Sequence, residues 1–178
     1  MLREWTVVCL LVCMAAVAYA GEPPAPPPDP PEVKKTVDAF KGAWTFAQEM
    51  TMTGMPAPEK FTVTYDCKET ALGKAVVCTG KASGSSQPWE GAQLIGYDQW
   101  TKAVHFMAMG SDGEIHDHTC HWTSDTKLDC GTYKGGLGTQ AVTEIFWMDF
   151  KGDDASYGFT FDMADGSKMS MKGTGKRK

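Results

Sequence analysis

Ala103-Val104-His105-Phe106-Met107-Ala108-Met109, then Gly110-Ser111-Asp112-Gly113, then Glu114-Ile115-His116-Asp117-His118-Thr119-Cys120-His121-Trp122 is the stretch that decides the fold. Two runs of residues suited to a pleated, half-buried surface flank a segment of small, Asp and Gly residues that suits a tight reversal. This is the pattern of an antiparallel hairpin. Working outward in both directions, the same alternation recurs, with turn chemistry about every ten residues. Candidate strands lie at 44–52, 61–67, 75–81, 91–97, 103–109, 114–122, 128–133, 140–150, 156–163 and 168–173. Thr123-Ser124-Asp125-Thr126, Lys151-Gly152-Asp153-Asp154 and Ala164-Asp165-Gly166 mark further reversals. A meander of short strands leaves two raw edges unless the sheet closes, so we expect an all-β, antiparallel up-and-down barrel of about eight to ten strands. An open two-sheet sandwich is the alternative.

The N-terminal portion has a different composition. Residues 1–20 carry Arg3, an apolar run from Thr6 to Val17 and Ala18-Tyr19-Ala20, which together read as a secretory signal peptide with the mature chain beginning at Gly21. Residues 21–32 are dominated by proline and read as a semi-rigid linker. The remainder, 33–178, is one domain's worth of chain. From Pro31, the spacing of Val33, Val37 and Phe40 predicts one short helix ahead of the first strand.

Export implies a secreted or periplasmic location, where cysteines pair. If Ala71-Leu72-Gly73-Lys74 turns the chain, Cys67 falls opposite Cys78. If Ser124-Asp125-Thr126-Lys127 does the same, Cys120 falls opposite Cys130. Two hairpin-bridging disulfides are expected, and none of the four cysteines has the close pairing of a zinc site. The formal net charge is -5 and Arg177 is the only arginine after the signal segment, which argues against nucleic acid as a partner. No membrane span is expected once the signal is removed.

Gly42-Ala43-Trp44 directly after a short helix resembles the G-x-W opening of the calycin superfamily. Glu90-Gly91, Ile95-Gly96-Tyr97-Asp98 and Gly113-Glu114-Ile115-His116-Asp117-His118 resemble a bacterial lipocalin-like family of unknown function. The resemblance implies a lipocalin-like barrel in which Trp44 closes one end beneath Arg177, a guanidinium over an indole. It does not imply an activity. The further motifs of classical lipocalins are not recognisable. No histidine follows His121, so the late haem ligand of the related nitrobindins is missing.

In a strand alternate side chains share a face, so His116, His118 and Cys120 point one way and Asp117, Thr119 and His121 the other. If Ser111-Asp112 is a two-residue loop, His105 stands opposite His118 and Met107 opposite His116. His105, Met107, Met109, His116 and His118 would then line one patch. The two strands disagree about which face is inside. Val104, Phe106 and Ala108 with Ile115 look like a core face, whereas Cys120, Trp122, Leu128 and Cys130 draw the histidines inward. On the disulfide and Trp122 we place the histidines inside.

A mixed cavity follows, with walls from Trp44, Phe46, Phe61, Val63, Tyr65, Tyr157, Phe159 and Phe161 and a few imidazoles, suited to a small, partly apolar ligand. The ligand-binding candidates are His105, Met107, His116, His118, Trp44 and Tyr97. No cofactor is required. The alternative is a copper protein using His105, His116, His118, Met107 and Met109, because imidazole and thioether suit soft copper. Met50-x-Met52 and Met169-x-Met171 also place sulfur pairs on single strand faces. A third reading is a filled barrel acting through its outer surface. Catalysis is not expected: no nucleophile elbow is present, and Asp117 lies on the opposite strand face from His118.

Overall fold

The structure, a computed structural model, describes residues 27–137 and 140–178. The expected signal peptide and most of the proline-rich linker lie outside the described residues. Helix α1 spans Pro31–Phe40, with proline at its start and Glu32 in the first turn, where a negative charge meets the free backbone N–H groups. Its buried residues, Val33, Thr36, Val37 and Phe40, recur at helical spacing and form a single stripe.

Ten strands follow: β1 Gly42–Met52, β2 Glu59–Thr70, β3 Ala75–Ser83, β4 Glu90–Asp98, β5 Ala103–Gly110, β6 Ile115–Trp122, β7 Lys127–Leu137, β8 Gln140–Lys151, β9 Asp154–Met163 and β10 Lys168–Arg177. Each pairs antiparallel with its neighbours in sequence, and β10 returns to β1, so the sheet is a closed up-and-down barrel. Closure removes the free edges that an open sheet would present. The inward row of each strand carries its apolar residues, as in Trp44 and Phe46 of β1, and Phe146, Met148 and Phe150 of β8.

The barrel has two unlike ends. Helix α1 lies across the end where β1 begins, and packs there through Phe40, whose ring sits 4.9 Å from Phe150 and 6.0 Å from Phe106. Trp122 donates from Nε1 to Thr36 Oγ1 at 3.1 Å, and Lys35 covers the same indole. Trp44 donates to the Phe40 carbonyl at 2.9 Å, while the Arg177 guanidinium stands 4.9 Å above its ring. Arg177 also donates to the carbonyls of Asp38, Lys41 and Gly152, tying the helix to the chain's last strand. A Cβ on Gly42 would come within 2.8 Å of Arg177 Cδ, and its φ of +114° already disfavours any other residue.

Both disulfides, Cys67–Cys78 and Cys120–Cys130, bridge adjacent strands near this helix-covered end. Each closes a loop of about ten residues, contributing on the order of 2 to 3 kcal/mol by restricting the unfolded chain. Among the described residues no helix is long and apolar enough to cross a membrane.

Candidate functional site

The loop between β5 and β6 determines what lies inside. Met109 pairs with Ile115, and Gly110 donates its N–H to the Glu114 carbonyl at 3.0 Å, leaving Ser111-Asp112-Gly113 as a three-residue loop. Gly113 adopts a φ of +87°, a left-handed conformation that only glycine takes freely and that a three-residue hairpin loop requires. The expected two-residue loop is therefore one residue too short, and every opposition across the hairpin moves by one. Phe106 faces His118, Ala108 faces His116 and Val104 faces Cys120. A one-residue slip exchanges the faces of a strand. The apolar face of β5 and the histidine face of β6 consequently both turn inward, which removes the conflict seen in the sequence.

The same shift carries the other candidates outward. His105 lies opposite Thr119 on the outer face, with its imidazole 3.5 Å from Asp117 and 3.9 Å from Asp98. Met107 and Met109 are 41% and 52% exposed, so the anticipated patch of His105, Met107, Met109, His116 and His118 is not assembled. Val77, Leu94 and Met107 instead follow one another across β3, β4 and β5 on the outside, with Ile115 exposed nearby. Tyr97 packs against the core at the helix end of β4. Trp44 is buried and floors the interior space.

Inside the barrel is a cavity of about 420 Å³. Its walls include Phe46, Phe61, Val63, Tyr65, Phe106 and Tyr157, with Phe159 and Phe161 toward the end away from the helix. The register traces one row across five strands, Met52, Met169, Phe161, Glu144 and Tyr133, of which Met169, Phe161 and Glu144 line the cavity. Met50 faces Met171 one step deeper, so the methionine pairs of β1 and β10 meet. Their polarizable thioethers give this wall an adaptable surface.

One wall is polar. His116, His118 and Glu144 are almost wholly buried and bring one ligand atom each within 4.8 Å of one another. His116 Nδ1 is 2.6 Å from Glu144 Oε2, and its Nε2 is 2.9 Å from Glu114 Oε2 at the hairpin loop. His118, 3% exposed, holds Nε2 3.3 Å from the same Glu144 oxygen, and its Nδ1 has no hydrogen-bond partner among the described residues. The Tyr133 ring stacks on His116 at 5.2 Å, and its hydroxyl donates to the Ile115 carbonyl at 2.8 Å, fastening β7 to β6 beside the cluster.

Burial alone would lower the pKa of His116, but the hydrogen bonds to Glu114 and Glu144 outweigh it and push it up to about 9. For Glu144, burial acts to raise the pKa, and the two imidazoles overcome this and hold the carboxyl below its ordinary value. A cationic imidazole bridging two carboxylates thus sits at the edge of an apolar space.

Sequence reasoning did not single out Glu144 or Glu114 as site residues. Glu144 was legible by parity: Val142, Glu144, Phe146, Met148 and Phe150 share one face, and a lone carboxylate among four apolar residues on a buried face needs a partner. Glu114 has no comparable sequence signal, because its place depends on the loop length.

The sequence matches no protein-family model, and no curated protein matches it. A solved structure similar to this chain is a protein of unknown function from the DUF3598 family of Nostoc punctiforme PCC 73102. It is 12% identical with a TM-score of 0.48, and the match covers 89% of this chain and 53% of that one. The chain therefore spans about half the length of that protein.

Proposed function

We propose that the barrel binds a small molecule in its interior, with an apolar or aromatic body lying against the phenylalanine and methionine walls. A polar head would meet His116, His118 and Glu144. The observation that carries this is the cavity of about 420 Å³, open away from the helix and polar on one side. Binding cavities for small molecules occupy about 300 to 1,000 Å³ and combine apolar walls with a few convergent polar groups. A barrel acting through its outer face alone has no need of such a space. We read the role as holding a guest and not transforming it. The two disulfides favour an oxidising compartment, consistent with export to the periplasm or the cell exterior.

The reading is tested with an environment-sensitive apolar fluorophore and with Ala82→Phe, which fills the cavity from β3, away from the imidazoles. Saturable one-to-one binding by the native protein, lost in Ala82→Phe at unchanged fold, is the expected result. Equal binding by the two proteins overturns it.

A further inference from the structure

The polar wall has more order than a hydrogen-bonding surface needs. Two imidazoles and a carboxylate converge from β6 and β8, and all three residues line the cavity. An ion held tetrahedrally at about 2.0 to 2.1 Å by nitrogen and oxygen ligands separates those ligands by about 3.3 Å. His118 Nε2 and Glu144 Oε2 already stand 3.3 Å apart. His116 Nδ1 and Glu144 Oε2 are 2.6 Å apart, so the two must part by roughly 0.7 Å to admit an ion. Glu114 sits on the far nitrogen of His116, the position from which a carboxylate fixes the tautomer and orientation of a metal-binding histidine. His118 Nε2 already lies against Glu144, while its Nδ1 has no hydrogen-bond partner among the described residues, so the carboxylate support seen at His116 is not repeated there.

We propose that His116 Nδ1, His118 Nε2 and a Glu144 oxygen form a three-ligand site for a divalent transition-metal ion of borderline hardness, such as Zn²⁺, with the fourth position open to the cavity. Two imidazoles and a carboxylate suit such an ion better than Cu(I), whose thioether ligands would have to come from Met50, Met169 or Met171 on the cavity wall. The open position extends the binding reading and, for the guest alone, rests on it: the head group held there would be a metal ligand, such as a carboxylate or phenolate.

Cobalt(II) titration of the untagged, disulfide-intact chain tests the site, since four-coordinate cobalt gives an intense visible band. The background is small, because the chain has four histidines in all. One equivalent of cobalt, displaced by zinc, is expected. Glu144→Gln and His118→Phe should remove the band, and Glu114→Gln should weaken affinity about 10- to 100-fold. His105→Ala and the pair Met50→Leu with Met171→Leu should leave it intact.

Absence of saturable cobalt binding, or binding that survives Glu144→Gln, overturns the proposal. So does loss of binding on His105→Ala. Fluorophore binding is measured on the same samples. A protein that takes up fluorophore but no cobalt refutes the metal site alone, and one that takes up cobalt but no fluorophore refutes the guest-binding reading alone.

Discussion

The two ends of the barrel are built on opposite principles. At the helix-covered end, α1, Trp44, Arg177 and both disulfides lock neighbouring strands to one another, and the polar atoms of Trp44, Trp122 and Arg177 each have a specific partner. At the other end the rings stand around a cavity, and a cluster of ionisable groups is buried along one wall. The covered end is tied together strand to strand, and on the proposed reading the open end keeps a space and a charged cluster for a guest.

Substitutions can break this contrast. The largest expected effect is at the covered end: Trp44→Ala removes a buried indole and the platform under Arg177, at a cost of about 3 to 5 kcal/mol in chemical denaturation. Replacing Cys120 and Cys130 by serine should cost about 2 to 3 kcal/mol, with fluorophore binding retained wherever the protein is folded. Loss of binding at unchanged fold would show that the covered end shapes the cavity directly.

pH sharpens the contrast from the other side. In the metal-free protein His116 has a folded-state pKa of about 9 against 6.5 in the unfolded chain. The groups facing it are Glu114, Glu144, His118 and Tyr133. Because the folded value is the higher one, the stabilisation is full below about pH 6.5 and is lost as pH rises through about 9, an effect on the order of 3 kcal/mol. Denaturation midpoints on either side of this window should differ in the native protein and differ less in His116→Asn. The smallest effect is expected for Ala82→Phe, which adds a ring to existing space and should change stability by no more than about 1 kcal/mol while removing fluorophore binding.

The ten strands were legible because each alternates apolar and polar residues between turn-forming segments, and a meander has few ways to close. The disulfide partners followed from turn positions alone: Cys67 sits opposite Cys78 in the β2–β3 register. The composition of the binding wall was less legible. Assigning the β5–β6 loop two residues instead of three placed His105, Met107 and Met109 with the inner histidines and left Glu114 without a place, whereas Glu144 was overlooked although the parity of β8 sets it inward. A loop is a local choice of backbone dihedrals that leaves each strand's alternation unchanged, so the alternation alone could not reveal it. The inward apolar faces of both strands together did contain the answer, since Val104, Phe106 and Ala108 can share an interior with His116 and His118 in only one of the two registers.

The central claim is that the interior, and not the exposed apolar strip of Val77, Leu94, Met107 and Ile115, receives a guest. Chemical-shift mapping of the labelled protein during titration with the apolar fluorophore tests it most directly. Shifts should concentrate at Phe61, Ala82, Ala108, His118, Phe159 and Met171, all on the inner wall. Shifts confined to Val77, Leu94, Met107 and Ile115, with the inner residues silent, would contradict the account.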